Sequence, residues 1–143
     1  MTVRQLLNAA TDVVLLEEQR TESGHTLAIA TLNFEKTLNS LSLPMIDLLA
    51  PQLARWNERD DVVVVLLRGA GDRAFCAGGD IQALYRGMTR NHAAGKLVDD
   101  YPERFFESEY RLDYTIHRSK KPVICFGHGV VMGGGLGLFS AAQ

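Results

Sequence analysis

The chain has 143 residues, enough for one domain with a sizeable core, and its composition (46% hydrophobic, 22% charged) is that of an ordinary soluble globular protein. A net charge of −2 gives no argument for a nucleic-acid partner, and the apolar runs are far too short to span a bilayer. Val13 to Leu16 is followed at once by Glu17 and Glu18, which is no signal-peptide pattern, and Cys76 and Cys125, both in apolar surroundings, read as buried free thiols suited to a reducing cytoplasm.

In chain order, Thr2 to Ala10 is expected to form a short helix. Val13 to Glu18 and His25 to Thr31 read as two strands joined by a turn at Thr21 to Gly24, and the second has apolar residues on both faces. Asn33 to Leu41 is polar and irregular. Ser42 is a candidate N-cap with Pro44 in the first turn, and Met45, Ile46, Leu49, Leu53 and Trp56 keep helical spacing. Pro51 lies inside that helix, removes one backbone bond and should kink it. Val62 to Leu67 is wholly apolar and rich in β-branched residues, the mark of a central strand covered on both faces. A glycine turn to Asp80 follows, then a helix from Ile81 to Met88, a polar and mobile stretch to Pro102, and a helix from Pro102 or Glu103 to His117. Val123 to Phe126 reads as a buried strand, and a second glycine run opens an apolar helix from Leu136. The order implies an α/β fold with parallel pairing. The last helix runs to Gln143 with no cap, Gly or Pro, so residues 1–143 are expected to be one domain interrupted at its C-terminal end.

Two constellations offer chemistry. The glycine turns at 76–79 and 133–135 each follow a strand and precede a helix, so on neighbouring strands both open at one sheet end, where two backbone N–H groups would hold a carbonyl oxygen gaining charge. Two tight turns without a ligand are an equal alternative. Glu109 shares a helical face with Phe105, Leu112 and Ile116. A carboxylate there is disfavoured without a partner or a task, and burial would raise its pKa, whereas at the edge of the stripe it would simply reach water or pair with an arginine. Glu107 and Arg111 read as a solvated pair, His128 as a turn histidine bonded to backbone, and Asp80 as a helix cap. Gly127 to Gly133 is a weak rival fingerprint for a dinucleotide. No spacing suggests a metal.

The segments Arg73-Ala-Phe-Cys-Ala-Gly-Gly-Asp-Ile81, Lys121-Pro122 before a strand, Gly127-His-Gly129 and Met132-Gly-Gly-Gly135 resemble the crotonase (enoyl-CoA hydratase/isomerase) superfamily. Leu32 to Leu41 is similar to that family's early Leu-Asn segment, although Phe34-Glu35 departs from it. Pro51-Gln-Leu53, Phe105 to Tyr110 and Met132 to Gly137 look like its 3-hydroxyisobutyryl-CoA hydrolase branch, which acts in valine catabolism. The resemblance implies the N-terminal portion of a β-β-α superhelix that binds an acyl-CoA, with coenzyme A as part of the substrate and no other cofactor. It implies oxyanion donors at Gly79 and Gly134, and substrate contacts at Glu109, Ala77, Gly78, Asp80 and Ile81. Hydratases of the family carry a catalytic Glu two residues after the glycine triplet, whereas this chain has Gly137 there. The carboxylates of the hydrolase branch would lie beyond Gln143, so the 143 residues alone are expected to be inactive. A homo-oligomer, or a second chain supplying the other half, would cover Val130, Val131, Leu136, Leu138 and Phe139.

Overall fold

The structure, a computed structural model, describes residues 3–142. The elements are β1 (Val3–Leu6), β2 (Val14–Arg20), β3 (Thr26–Leu32), α1 (Leu43–Glu58), β4 (Val62–Gly69), β5 (Ala74–Cys76), α2 (Ile81–Ala94), α3 (Tyr101–His117), β6 (Val123–Phe126), β7 (Val130–Val131) and α4 (Gly134–Ala141). A five-stranded sheet runs β1-β2-β3-β4-β6, antiparallel as far as β3 and parallel from β3 to β6. Strands β5 and β7 form a separate parallel pair. The expected α/β class is what the chain forms.

One face of the large sheet holds the core. Val14, Leu16, Ala28, Ala30, Leu32, Val65 and Leu67 pack there with Leu49, Leu53 and Trp56 of α1 and with Phe105, Leu112 and Ile116 of α3. Ser42 caps α1 by accepting a bond from Met45 N, Pro44 occupies the first turn, and Pro51 sits on the exposed side of an unbroken helix. The β3–β4 pairing shifts register between Thr26 and Leu27, so Val62 and Val65 are both buried although three residues apart.

Four expectations need correction. Val3–Leu6 is an exposed strand rather than part of a helix, because β2 offers it backbone partners; Thr2 lies outside the described residues. Strand β4 is central but not covered on both faces, since Val63 is exposed. Strand β6 is an edge strand: Val123 turns to the core, while Ile124 and Phe126 are 53% and 63% exposed. Helix α2 runs past Met88 to Ala94, and the stretch after it is tied down, with Asn91 bonded to Val98 N, Asp99 N and Asp99 O, and Arg90 paired to Asp99. Of the residues expected to be uncovered, Leu136 and Phe139 are exposed and Val130 and Val131 half-buried, but Leu138 is fully buried.

Candidate active site at the two glycine turns

Strands β4 and β6 are parallel neighbours, and the short β5 and β7 that follow them also pair in parallel, so the glycine turns after β5 and β7 open at the same end of that pair. The first turn is pinned to residues 38–41. Ala77 N donates to Leu38 O, Leu41 N to Gly78 O, and Asp80 N to Leu41 O. Leu41 thus bonds the two neighbours of Gly79 and leaves the Gly79 N–H pointing to the other side. In the second turn Gly135 N and Leu136 N both donate to Met132 O. Gly134 is the first residue of α4, where the N–H has no partner within the helix. Among the described residues no acceptor takes the N–H of Gly79 or of Gly134.

The turns touch. A Cβ built on Gly134 would lie 3.7 Å from Gly79 N, and one on Gly78 would lie 3.9 Å from Gly134 N. Gly78 has a φ of +106° and Gly133 one of +52°, left-handed conformations that glycine adopts without strain. Gly135 is needed for another reason: a Cβ there would overlap Cys76 O of β5.

Beneath the turns runs one face of α3. A Cβ on Gly79 would lie 2.9 Å from the Phe105 ring, one on Gly134 would overlap Glu109 Oε1, and one on Gly137 would lie 2.9 Å from Asp113 Oδ2. Residues 105, 109 and 113, spaced one turn apart, therefore each fill room left by a glycine above. Glu109 is only 6% exposed and has no hydrogen-bond donor among the described residues. Its pKa is raised, first by burial and then by the negative charge of Asp113. Burial pushes Asp113 up to about 6, and its Oδ1 is buried without a partner. Asp113 was not among the expected site residues. The signal for it was spacing, four residues on from Glu109 along the same helix.

The remaining expected residues divide. Ala77 and Gly78 belong to the turn itself. Asp80 spends Oδ1 on capping α2 through Ala83 N at 3.1 Å, and Ile81 is 75% exposed to solvent. His128 is the backbone-bonded turn histidine, with Nε2 at 3.0 Å from Gly71 O. Glu107 and Arg111 form an exposed pair at 2.7 Å. Val130–Val131 is strand, so the dinucleotide fingerprint lacks the helix it needs. Among the described residues no group of three His, Cys, Asp or Glu could hold a metal. Cys76 is a buried free thiol and Cys125 a half-buried one, both raised by burial, Cys125 to about 12. A cavity of about 690 Å³ lined by Arg68, Gly69, Asp72, Phe126 and His128 lies at the C-terminal ends of β4 and β6, and none of Gly79, Glu109 and Gly134 lines it.

The enoyl-CoA hydratase/isomerase family profile matches residues 27–143. The chain belongs to that family. Among curated relatives, 3-hydroxyisobutyryl-CoA hydrolase of Xenopus tropicalis is 39% identical over 136 residues, covering 95% of this chain and 34% of the relative. The Homo sapiens protein of the same name is 38% identical over 129 residues, covering 90% and 30%. The chain thus spans about a third of the length of the curated relatives it matches. A solved carnitinyl-CoA dehydratase from Mycobacterium thermoresistibile superposes with a TM-score of 0.79 at 38% identity, covering 93% of this chain and 36% of that one. An enoyl-CoA hydratase from Rhodobacter sphaeroides gives a TM-score of 0.72 at 32% identity, covering 92% and 36%. These neighbours bear out the crotonase fold expected from the glycine segments. The cytoplasmic expectation is overturned: the names of the curated hydrolases place them in mitochondria, an organelle that two reduced thiols do not distinguish from the cytoplasm.

Proposed function

We propose that these residues form the carbonyl-polarising and acyl-binding part of a CoA-thioester hydrolase similar to 3-hydroxyisobutyryl-CoA hydrolase. The observation that carries this is the meeting of two unpaired N–H groups, on Gly79 and Gly134, beside the buried carboxyl of Glu109. A thioester carbonyl accepting from both amides is stabilised as negative charge develops on its oxygen, and losing one such donor typically costs about 2.7–4 kcal/mol. Glu109, too buried for a solvated ion pair, binds and orients the hydroxyl of the acyl group. Ala77 and Gly78 hold the turn in shape, and Asp80 and Ile81 line its exit. Gly137 brings no side chain for acid–base work, so we assign water activation to carboxylates outside residues 1–143, supplied by further sequence or by a second, different chain. On that assignment the 143 residues alone are inactive. Coenzyme A enters as part of the substrate, with no other cofactor, and the compartment is that of the named relatives, the mitochondrion.

Hydratase or dehydratase chemistry is the second reading, favoured by the 38% identity to the carnitinyl-CoA dehydratase. Thiol release by the full-length protein from 3-hydroxyisobutyryl-CoA, compared with water addition to crotonyl-CoA, separates the two. Hydration of crotonyl-CoA without thiol release would overturn the hydrolase assignment.

A further inference from the structure

Helix α4 presents glycines three residues apart, Gly134 and Gly137, to a face of α3 that presents carboxyls four residues apart, Glu109 and Asp113. Each carboxyl oxygen occupies the room that a glycine leaves. The arrangement would be unfavourable as plain packing. Like charges one helical turn apart repel, and neither carboxyl has a lysine or arginine partner among the described residues. Helix α4 brings no titratable side chain; the thiol of Cys76, raised by burial, feels the charge of Glu109, and Asp113 is the charge that acts on Glu109. Helix α1 places Asp47 beside Ser108 and Arg111 on a different face of α3, and α2 meets α3 at its start, Gly87 against Pro102.

We propose that Asp113 is a positioning residue that works through Glu109: its carboxylate keeps a proton on Glu109, which then meets a ligand at the Gly79 and Gly134 amides as a hydrogen-bond donor. Two close carboxyls in a low-dielectric face do not both ionise; the first to lose its proton makes the second hold its own. Asp113, half-buried as a residue although its Oδ1 is enclosed, ionises first, and Glu109, 6% exposed, retains the proton. An ionised carboxyl only accepts hydrogen bonds, whereas a protonated one carries an O–H to donate. This explains how a carboxyl without a cation can lie beside amides that await an anionic oxygen.

The test is carboxyl-carbon NMR titration of the full-length protein without substrate, on the wild type, Asp113→Asn and Glu109→Gln. In the wild type Glu109 titrates above Asp113. Asp113→Asn lowers the Glu109 midpoint by about one pH unit or more, whereas Glu109→Gln leaves that of Asp113 in place, because Glu109 is still neutral when Asp113 ionises. A Glu109 midpoint unmoved by Asp113→Asn would overturn the coupling, and an Asp113 midpoint that falls in Glu109→Gln would show Glu109 ionising first and overturn the proposal; the second variant decides the matter should the first not fold. A kinetic arm rests on the thioester reading. The alkaline limb of kcat/KM for 3-hydroxyisobutyryl-CoA moves down with the midpoint in Asp113→Asn and is absent in Glu109→Gln. A limb that stays put while the midpoint moves overturns the donor role. Coupled midpoints in a protein that hydrolyses no thioester uphold the pair and remove the hydrolase assignment instead.

Discussion

Adjacent glycines in the second turn answer to different constraints, and alanine at each separates chemistry from folding. In Gly135→Ala the new methyl overlaps Cys76 O and lies 2.7 Å from Cys76 Cβ. That carbonyl is backbone of β5 and already accepts from Met132 N at 3.2 Å, so it cannot turn aside. Helix α4 must lift from β5, an overpacking that costs about 1–3 kcal/mol and lowers the Tm of the longer full-length protein by roughly 2–6 °C. In Gly134→Ala the methyl overlaps only Glu109 Oε1, with Glu109 Cδ at 3.3 Å. A carboxyl tip can swing away, the φ of Gly134 is not left-handed, and alanine regains up to about 1 kcal/mol of helix propensity. Stability therefore stays within about 1 kcal/mol of wild type. The N–H of residue 134 remains, but the methyl stands 3.7 Å from Gly79 N, crowds the space between the two donors and displaces Glu109, so turnover falls by about 10²–10³-fold, as large as the loss of one carbonyl donor. Thermal melts by circular dichroism and thiol release from 3-hydroxyisobutyryl-CoA, both on the full-length protein, read the two effects. A Gly134→Ala melt as low as that of Gly135→Ala, or near wild-type turnover by Gly134→Ala, refutes the reasoning.

Asn39, 1% exposed, donates to Ala70 O and Ala74 O and accepts from Phe34 N, so Asn39→Asp loses both donors and is destabilised by about 2–4 kcal/mol in urea unfolding; a loss below 1 kcal/mol would contradict this. Trp56 is fully buried and donates from Nε1 to Glu18 at 2.8 Å, and Trp56→Phe is expected to cost about 1–2 kcal/mol in the same assay, because Arg59 still partners Glu18. Asp113 rises from 3.8 to about 6, so in that interval the folded state holds a proton that the unfolded chain releases. That contribution to stability is complete at acid pH and is lost as pH climbs through about 6. Urea midpoints measured across this range should fall with pH in the wild type and flatten in Asp113→Asn, and an undiminished slope in the variant counts against the burial of Asp113.

The sequence pattern was readable where one local signal decides the outcome. Ser42 and Pro44 mark the start of α1, and the Phe105, Leu112 and Ile116 stripe fixes the buried face of α3 and with it the odd position of Glu109. It failed where distant partners decide. Val3–Leu6 has no buried side and becomes a strand only because β2 pairs with it. Strand β6 has the apolar content of a buried strand but lies at the sheet edge, and no property of Ile124 or Phe126 reveals that. The need for three consecutive glycines was legible, but its division into a left-handed φ at 133, room for Glu109 at 134 and a backbone approach at 135 was not. Asp113 was hidden for a similar reason, since its importance depends on Gly137 lying above it.

The central claim is that the N–H groups of Gly79 and Gly134 bind one carbonyl oxygen. Infrared difference spectroscopy of a carbonyl-¹³C-labelled acyl-CoA bound to the full-length protein reads this directly. The account predicts a thioester stretch displaced to lower frequency than in water, with the displacement largely lost in Gly134→Ala. A bound carbonyl vibrating at the solution frequency in the wild type would contradict it.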